Sequence, residues 1–468
     1  MQRGSLPPKQ RGYLAVCCIV IIICILWFYR NQVLLEATAS YRTSLTSTPT
    51  SLNHTSLSSL RVAVVEQEEF HNEVLGAVLS DLLRLGVRPQ VYRSVPYLYR
   101  FGDVLQRFYP YGFDQSIVKN EDTGVFQPGP VEDAIRAGEY DLVILNSCHW
   151  AIWWETNIFM ALNSSDAHVI CILHTPHEEG IGKARFQYSA LGAQGRFTGL
   201  SLSTHTQDAA MKLFDKWADK EHDRSWDKIP VEYFVPIFPA ISDPQAIHKS
   251  RIPSKFVIQG SIDTLRRNYD GLIAELLQIM KADLHSWGYY QEKEGSPFLP
   301  LKKPAHGAIP PPFNLHLIGH SIREPKIPDE MVNVVHIRDS PDFEEFYGTL
   351  AEMDVLIPAF SADLYLTAVA SSSIPAAVMT RTPILASPAH LRAYGYLAPP
   401  AVIVRPSSMS DAEAISRLRA GLPLLEDTAI QGNRFDLPEY RDWDAYTESL
   451  LQSNTVTWRR ILARAIRN

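Results

Sequence analysis

Short, nearly uninterrupted runs of aliphatic and β-branched residues recur along most of this chain, and helical or polar stretches separate each run from the next. The first series is 61–67 (RVAVVEQ), 89–95 (PQVYRSV), 140–147 (YDLVILNS), 168–174 (HVICILH), 197–204 (FTGLSLST) and 231–238 (VEYFVPIF). Between its first two members, 69–86 (EFHNEVLGAVLSDLLRLG) spaces its apolar residues three and four apart, the period of an amphipathic helix. Runs that are apolar on both faces and alternate with helices predict a parallel sheet covered on both sides. A second series follows at 255–261 (KFVIQGS), 314–321 (NLHLIGHS), 333–339 (NVVHIRD), 354–360 (DVLIPAF), 383–387 (PILAS) and 401–406 (AVIVRP), with helices predicted over 269–284 and 342–353. The chain therefore reads as two α/β units in tandem, 61–245 and 246–420, followed by a helical tail over 421–468. At 468 residues it is too long for one core, which agrees. The stretch 292–313, dense in Pro and Gly, predicts a surface insertion. Two doubly wound units facing each other predict a ligand cleft at the carboxyl ends of both sheets.

The region before the first strand is of another kind. Tyr13–Tyr29 (YLAVCCIVIIICILWFY) is 17 residues without a charge, at the short end of what spans a bilayer. Arg3, Lys9 and Arg11 precede it, so the positive-inside bias keeps residues 1–12 in the cytosol. A cleaved signal peptide would need small residues after the apolar core, whereas WFYRN is bulky. We read 13–29 as an uncleaved transmembrane signal-anchor. The chain is then a single-pass type II protein of the endoplasmic reticulum or Golgi, with everything after the anchor lumenal. A short span suits the thinner membranes of the early secretory pathway. Residues 30–60 are rich in Ser and Thr and poor in bulky apolar groups, as a stem is. Asn53-His-Thr and Asn163-Ser-Ser are N-glycosylation sequons, in keeping with a lumenal glycoprotein. Three of the five cysteines lie in the anchor; Cys148 and Cys171 remain, either as a buried disulfide or as two separate thiols. A net charge of −7 excludes a protein that coats nucleic-acid phosphates.

Two stretches carry the candidate chemistry. In 256–272 (FVIQGSIDTLRRNYDGL) a strand ends at Gly260, and Arg266 and Arg267 stand just before a helix beginning near Asn268–Asp270. Free N–H groups at a helix start beside a guanidinium suit a phosphate, although a solvated turn with exposed arginines uses the same residues. In 371–387 (SSSIPAAVMTRTPILAS), Ser372, Ser373 and Pro375 suit the first turn of a helix, again with donors for an anion. An ordinary capped helix has the same signature. On the other unit, His174 closes the strand of 168–174, and Glu69, His71 and Glu73 follow the first strand, where the first turn of a helix also favours acidic residues. The aromatic stretch 91–114 and Trp150, Trp153 and Trp154 offer ring faces for stacking on a ligand, or else core.

Taken in order, strand–Gly260–basic loop–helix, LHLIGHS, VVHIRDSPDFEEFYGTLAEMDVLIPAF and SIPAAVMTRTPILAS resemble the donor domain of GT-B glycosyltransferases. Within these the retaining glycosyltransferase family 4 is the most similar, and the resemblance runs over about 61–420. It implies a GT-B fold and transfer of a sugar from a nucleotide diphosphate donor with retention, without cofactor or metal. Gly260 holds the family's glycine, and Arg267 stands where the family has its diphosphate-binding lysine. Ser261 replaces the partner arginine, while Ala368 and Ala376 occupy the positions of the usual glutamate pair. Pro383 matches the family's proline, and Arg381 replaces its glycine, where it is a candidate new phosphate contact. His174 takes the place of a histidine near the transferred sugar, and Glu69, His71 and Glu73 stand where this fold has an acceptor-facing loop. The glycan, lipid or protein that accepts the sugar is not implied. The missing carboxylates leave a second reading open, a catalytically degenerate member acting as a binding or complex subunit. An epimerase or other nucleotide-sugar enzyme has only the architecture in its favour.

Overall fold

The computed structural model describes residues 57–467 except 69–70, 95, 116, 120–125, 149–155, 178–180, 242–251, 303–309 and 425–439, all within one compact unit, His54–Asn468. Tyr13–Tyr29, Asn53, Glu69 and Trp150, Trp153 and Trp154 lie outside the described residues. Among the described residues, no helix is long and apolar enough to cross a membrane.

Both expected sheets form, and both are parallel throughout. In the amino-terminal half, β1 (Val62–Glu66), β2 (Gln90–Arg93), β3 (Asp114–Gln115), β4 (Leu142–Leu145), β5 (His168–Leu173), β6 (Phe197–Ser201) and β7 (Val231–Tyr233) lie in the order β3-β2-β1-β4-β5-β6-β7. In the carboxyl-terminal half, β8 (Lys255–Gln259), β9 (Asn314–Gly319), β10 (Val335–Asp339), β11 (Val355–Leu356), β12 (Ile384–Ala386) and β13 (Val402–Val404) lie in the order β10-β9-β8-β11-β12-β13. Every residue of β1 and β5 is buried, as a sheet covered on both faces requires. In each sheet the order reverses beside the first strand, between β1 and β4 and between β8 and β11. Loops leaving the carboxyl ends of those neighbours depart to opposite faces and open a crevice there.

Prolines shorten two of the expected strands. The run 231–238 pairs only as far as Tyr233 and then leaves the sheet, and 354–360 pairs within its sheet only at Val355–Leu356, with Phe360 bridging to Arg267 outside it. Pro236 and Pro358 have no N–H to give a ladder, which favours departure from the sheet. The stretch 292–313 meets the expectation in part. Phe298 and Phe313 are fully buried, and Phe313 meets Trp287 edge-on at 5.0 Å. These two rings tie the stretch to the core, while Glu292–Gly295 are exposed, as a surface insertion is.

The helices that bear on the site are α1 (Asn72–Arg84), α2 (Thr204–Glu221), α3 (Tyr269–Ala282), α4 (Phe343–Ala351), α5 (Ser373–Met379) and the long α6 (Tyr440–Arg467). The expected tail is α6, which returns to the amino-terminal half. Asn454 and Trp458 both donate to Asp81 of α1 at 3.0 Å, and Arg460 and Arg464 pair with Glu232. The halves also meet beside the cleft. Phe101 is fully buried, with Phe343 edge-on at 4.7 Å and Phe238 at 6.0 Å. Arg107 pairs with Glu344 at 2.7 Å. Phe101 of the aromatic stretch 91–114 thus packs the junction, because a ring flanked by apolar neighbours gains more from burial than from exposure, whereas Tyr99 and Tyr111 remain exposed. On the opposite flank, Thr204 and the His205 ring of α2 meet the Ala393 carbonyl at 2.9 and 2.7 Å.

Candidate functional site

A cavity of about 250 Å³ lies between the two halves at the carboxyl ends of the sheets, lined from one side by His71, Glu73 and His174 and from the other by Gly260, Arg266, Arg267 and Ser372. The tandem arrangement predicts this location, and seven of the nine candidate residues meet there.

The carboxyl-terminal wall is organised by Arg267. Strand β8 ends at Gln259, and Gly260 turns away at φ +121°, a conformation that favours glycine. Gly319, at φ +145° after β9, comes so close that a Cβ there would lie 2.0 Å from the Gly260 carbonyl oxygen. The chain then loops back and places Arg267 beneath the turn at 5 % exposure. Its Nη1 donates to the Pro358 carbonyl, and Nη2 donates to the Gln259 carbonyl at 3.0 Å and to the Ser373 and Ser371 hydroxyls at 2.8 and 3.3 Å. Phe360 stacks against the guanidinium at 4.7 Å. Every one of these partners is neutral. Burial pulls the Arg267 pKa down, Arg266 adds to that, and Tyr269, Tyr365 and Tyr394 oppose it. Among the described residues no carboxylate pairs with this buried cation. Arg266, by contrast, is exposed and stands 3.9 Å from Asp263.

Helix α5 does not begin as its sequence predicts. Ser372 is the N-cap but has helical backbone angles and makes no side-chain cap. The Ser373 hydroxyl donates to the Gln259 carbonyl at 2.8 Å while accepting from Arg267, so Ser373 holds the arginine rather than a ligand. Ser371 and exposed Ser372 line the cavity instead. Arg381 is not at the cleft. It stands beyond the far end of α5, where Nη2 donates to Asp444 of α6, and it lines a separate apolar cavity with Phe238 and Met379. Its φ of +56° accounts for a glycine being usual at this place in the resemblance. Ala376 is buried at 4 % exposure within α5.

The amino-terminal wall is built from titratable groups. His71 precedes α1 in a left-handed conformation (φ 63°, ψ 24°), and its ring stacks on His174 with centroids 3.6 Å apart. His174 Nε2 lies 2.6 Å from the Asn146 carbonyl oxygen, which the donor geometry of a ring N–H fits. Asn146 Nδ2 donates to the Glu66 carboxylate and, at 3.3 Å, to the His71 carbonyl. Glu66 ends β1 fully buried and also accepts from the Glu68 N–H at 2.8 Å. Burial pushes its pKa up to about 7, against the lowering effect of Asn146, the Glu68 N–H and the nearby Arg93 guanidinium. Sequence reasoning missed Glu66 and Asn146. The signal available was a charged or amide residue closing an otherwise apolar strand. Cys148, two residues beyond Asn146, is bridged to Cys171, which decides between the two readings of that pair. Asn163 of the second sequon is exposed, and its side chain accepts from Gln194 at 2.8 Å. Among the described residues no group of His, Cys, Asp or Glu stands together so as to hold a metal ion.

No protein-family description matches this chain, and no curated protein is similar to it in sequence. Similarity in structure is nevertheless extensive. HepE of Anabaena, in complex with UDP, matches 86 % of this chain and 100 % of its own with a TM-score of 0.51 and 13 % identity. A glycosyltransferase from Rickettsia africae matches 86 % of this chain and 98 % of its own, with a TM-score of 0.51 and 12 % identity. HepE in complex with UDP-glucose matches 86 % of this chain at 12 % identity and a TM-score of 0.50. At such identities the likeness is one of fold, and the fold is that of the GT-B glycosyltransferases.

Proposed function

We propose that this chain is a glycosyltransferase that takes its sugar from a nucleoside diphosphate donor held in the cavity between the two halves. The observation that carries the proposal is the buried Arg267 guanidinium, which meets only carbonyls, hydroxyls and rings and leaves a net positive charge at the switch point of β8 and β11. A desolvated cation without a counter-ion favours an anion beside it, and a diphosphate brings one. The start of α3, a helix of 14 residues, adds a dipole of the same sign next to it. Charge develops on the leaving diphosphate during transfer, and a fixed cation in a part-desolvated cavity stabilises that charge without reorganising. His174 stands on the facing wall; with its Nε2–H given to the Asn146 carbonyl, the ring would meet the transferred sugar through Nδ1, which accepts from a hydroxyl when neutral and donates when protonated.

Retention at the anomeric carbon, independence of metal, the anchor at Tyr13–Tyr29 and a lumenal address in the endoplasmic reticulum or Golgi complete the proposal. The Cys148–Cys171 bridge supports the address, since disulfides persist in oxidising compartments. Ala368 and Ala376 favour the other reading, a chain that keeps the fold as a binding or complex subunit. One experiment separates the two. The melting temperature of the purified chain is measured with uridine, guanosine and adenosine diphosphates and their sugars. A ligand at about 100 times its Kd stabilises by about 2.7 kcal/mol, a shift of a few degrees. The enzyme reading expects a shift with one base that Arg267→Ala removes. No shift with any of them leaves the subunit reading.

A further inference from the structure

The cavity keeps its charges on separate walls. Among its described lining residues the cations, Arg266 and Arg267, belong to the carboxyl-terminal half, whereas the one carboxylate, Glu73, comes from the amino-terminal half. Glu73 occupies the first turn of α1, which suits an acidic residue, but its surroundings are a matter of tertiary structure. Burial raises its pKa, and hydrogen bonding from its own N–H and from Ser372 across the cleft opposes that rise. It also lies near enough to Tyr347 of α4 to raise that phenol further. The groups that act most on Arg267 are Tyr269, Tyr365, Tyr394 and Arg266, and among the described residues no ion pair joins Glu73 to Arg267. Between Val369 and Pro375 the facing wall offers methyls and hydroxyls only.

We infer that Glu73 accepts hydrogen bonds from the hydroxyls of the donor's sugar, reaching it from the half opposite the phosphates, and that it selects a neutral sugar over one bearing a carboxylate. The inference rests on the nucleotide-sugar reading above. A ligand whose diphosphate sits at Arg267 extends its remaining length along walls on which Glu73 is the only anionic acceptor among the described residues. A carboxylate accepts from two hydroxyls, and charge-assisted bonds of that kind are each worth about tenfold to a hundredfold in affinity. A second carboxylate brought to the same place repels it in a part-desolvated setting.

The test is titration calorimetry of wild type, Glu73→Gln and Ser372→Ala with UDP, UDP-glucose and UDP-glucuronate, or with the matching set for whichever base binds. Wild type is expected to prefer the neutral sugar by about tenfold or more, and Glu73→Gln to bring the ratio close to one. Ser372→Ala keeps the charge and so keeps the direction of the preference. UDP alone, having no sugar, is the reference for the site itself. If no nucleoside diphosphate binds to wild type, the reading of the cavity falls and this inference with it. If the nucleotide binds but wild type lacks the preference, or Glu73→Gln retains it, the role of Glu73 alone is overturned.

Discussion

The two walls of the cavity are made of opposite kinds of group. On the carboxyl-terminal side the charge is fixed: Arg267 is a guanidinium clamped by Gln259, Pro358 and Ser373, and no accessible pH discharges it. The amino-terminal side carries two stacked imidazoles, a Glu73 carboxyl raised by burial and, behind them, Glu66 titrating at about 7. A fixed charge suits recognition of a permanent anion, whereas titratable groups suit adjustment of protons and hydroxyls. The comparison implies that binding and turnover answer to different walls.

The largest effect tests what holds the titratable wall. Replacing both Cys148 and Cys171 by Ser frees a loop of 23 residues and is expected to cost about 3 kcal/mol of stability, read as a fall in denaturation midpoint. Since Cys148 follows Asn146 so closely, turnover should decline further than nucleotide affinity. Equal losses of both would mean that the walls are not independent.

The second prediction divides the walls directly. Arg267→Lys keeps a cation but loses the fork, and nucleotide affinity is expected to fall about tenfold or more, measured by calorimetry. His174→Ala is expected to act mainly on kcat, by about tenfold to a hundredfold. A larger loss of nucleotide affinity in His174→Ala than in Arg267→Lys would break the comparison.

Stability also answers to pH. Glu66 and Asp81 titrate at about 7 and about 8 in the folded chain, against ordinary carboxyl values of 4.5 and 3.8. Both pKa values are raised, so the folded state binds more protons than the unfolded state between the two values. Stability therefore falls as pH rises, for Glu66 from about 4.5 to 7 and for Asp81 from about 4 to 8. Glu66→Gln and Asp81→Asn should each flatten the dependence of melting temperature on pH over its own window. A steeper dependence in either variant would contradict the assignment. Smallest of all, Arg381→Gly relieves a positive φ while losing the Asp444 contact, so stability should change by no more than about 1 kcal/mol, with nucleotide affinity unaltered. A substantial loss of affinity would return Arg381 to the phosphate site.

Much of the architecture was legible along the chain. Runs such as VAVV and VICIL declare buried parallel strands because both faces lack polar groups, and Gly260 marks a turn because few other residues accept its φ. Arg267 could be singled out by its place before a helix. These are local properties, set by spacing, solvation and backbone sterics within a few residues. Other facts depend on which distant residues meet. Asp81 finds Trp458 across 377 positions, Ser373 is claimed by Arg267, Arg381 faces α6 instead of the cleft, and Glu66 is raised by the neighbours that bury it. Burial, hydrogen-bond partners and the pKa shifts they cause arise only when separate segments share a volume, and no local spacing encodes them. The sequence by itself determined the two parallel sheets and the position of the cleft between them; tertiary structure alone decided which side chains face it and in what state of charge.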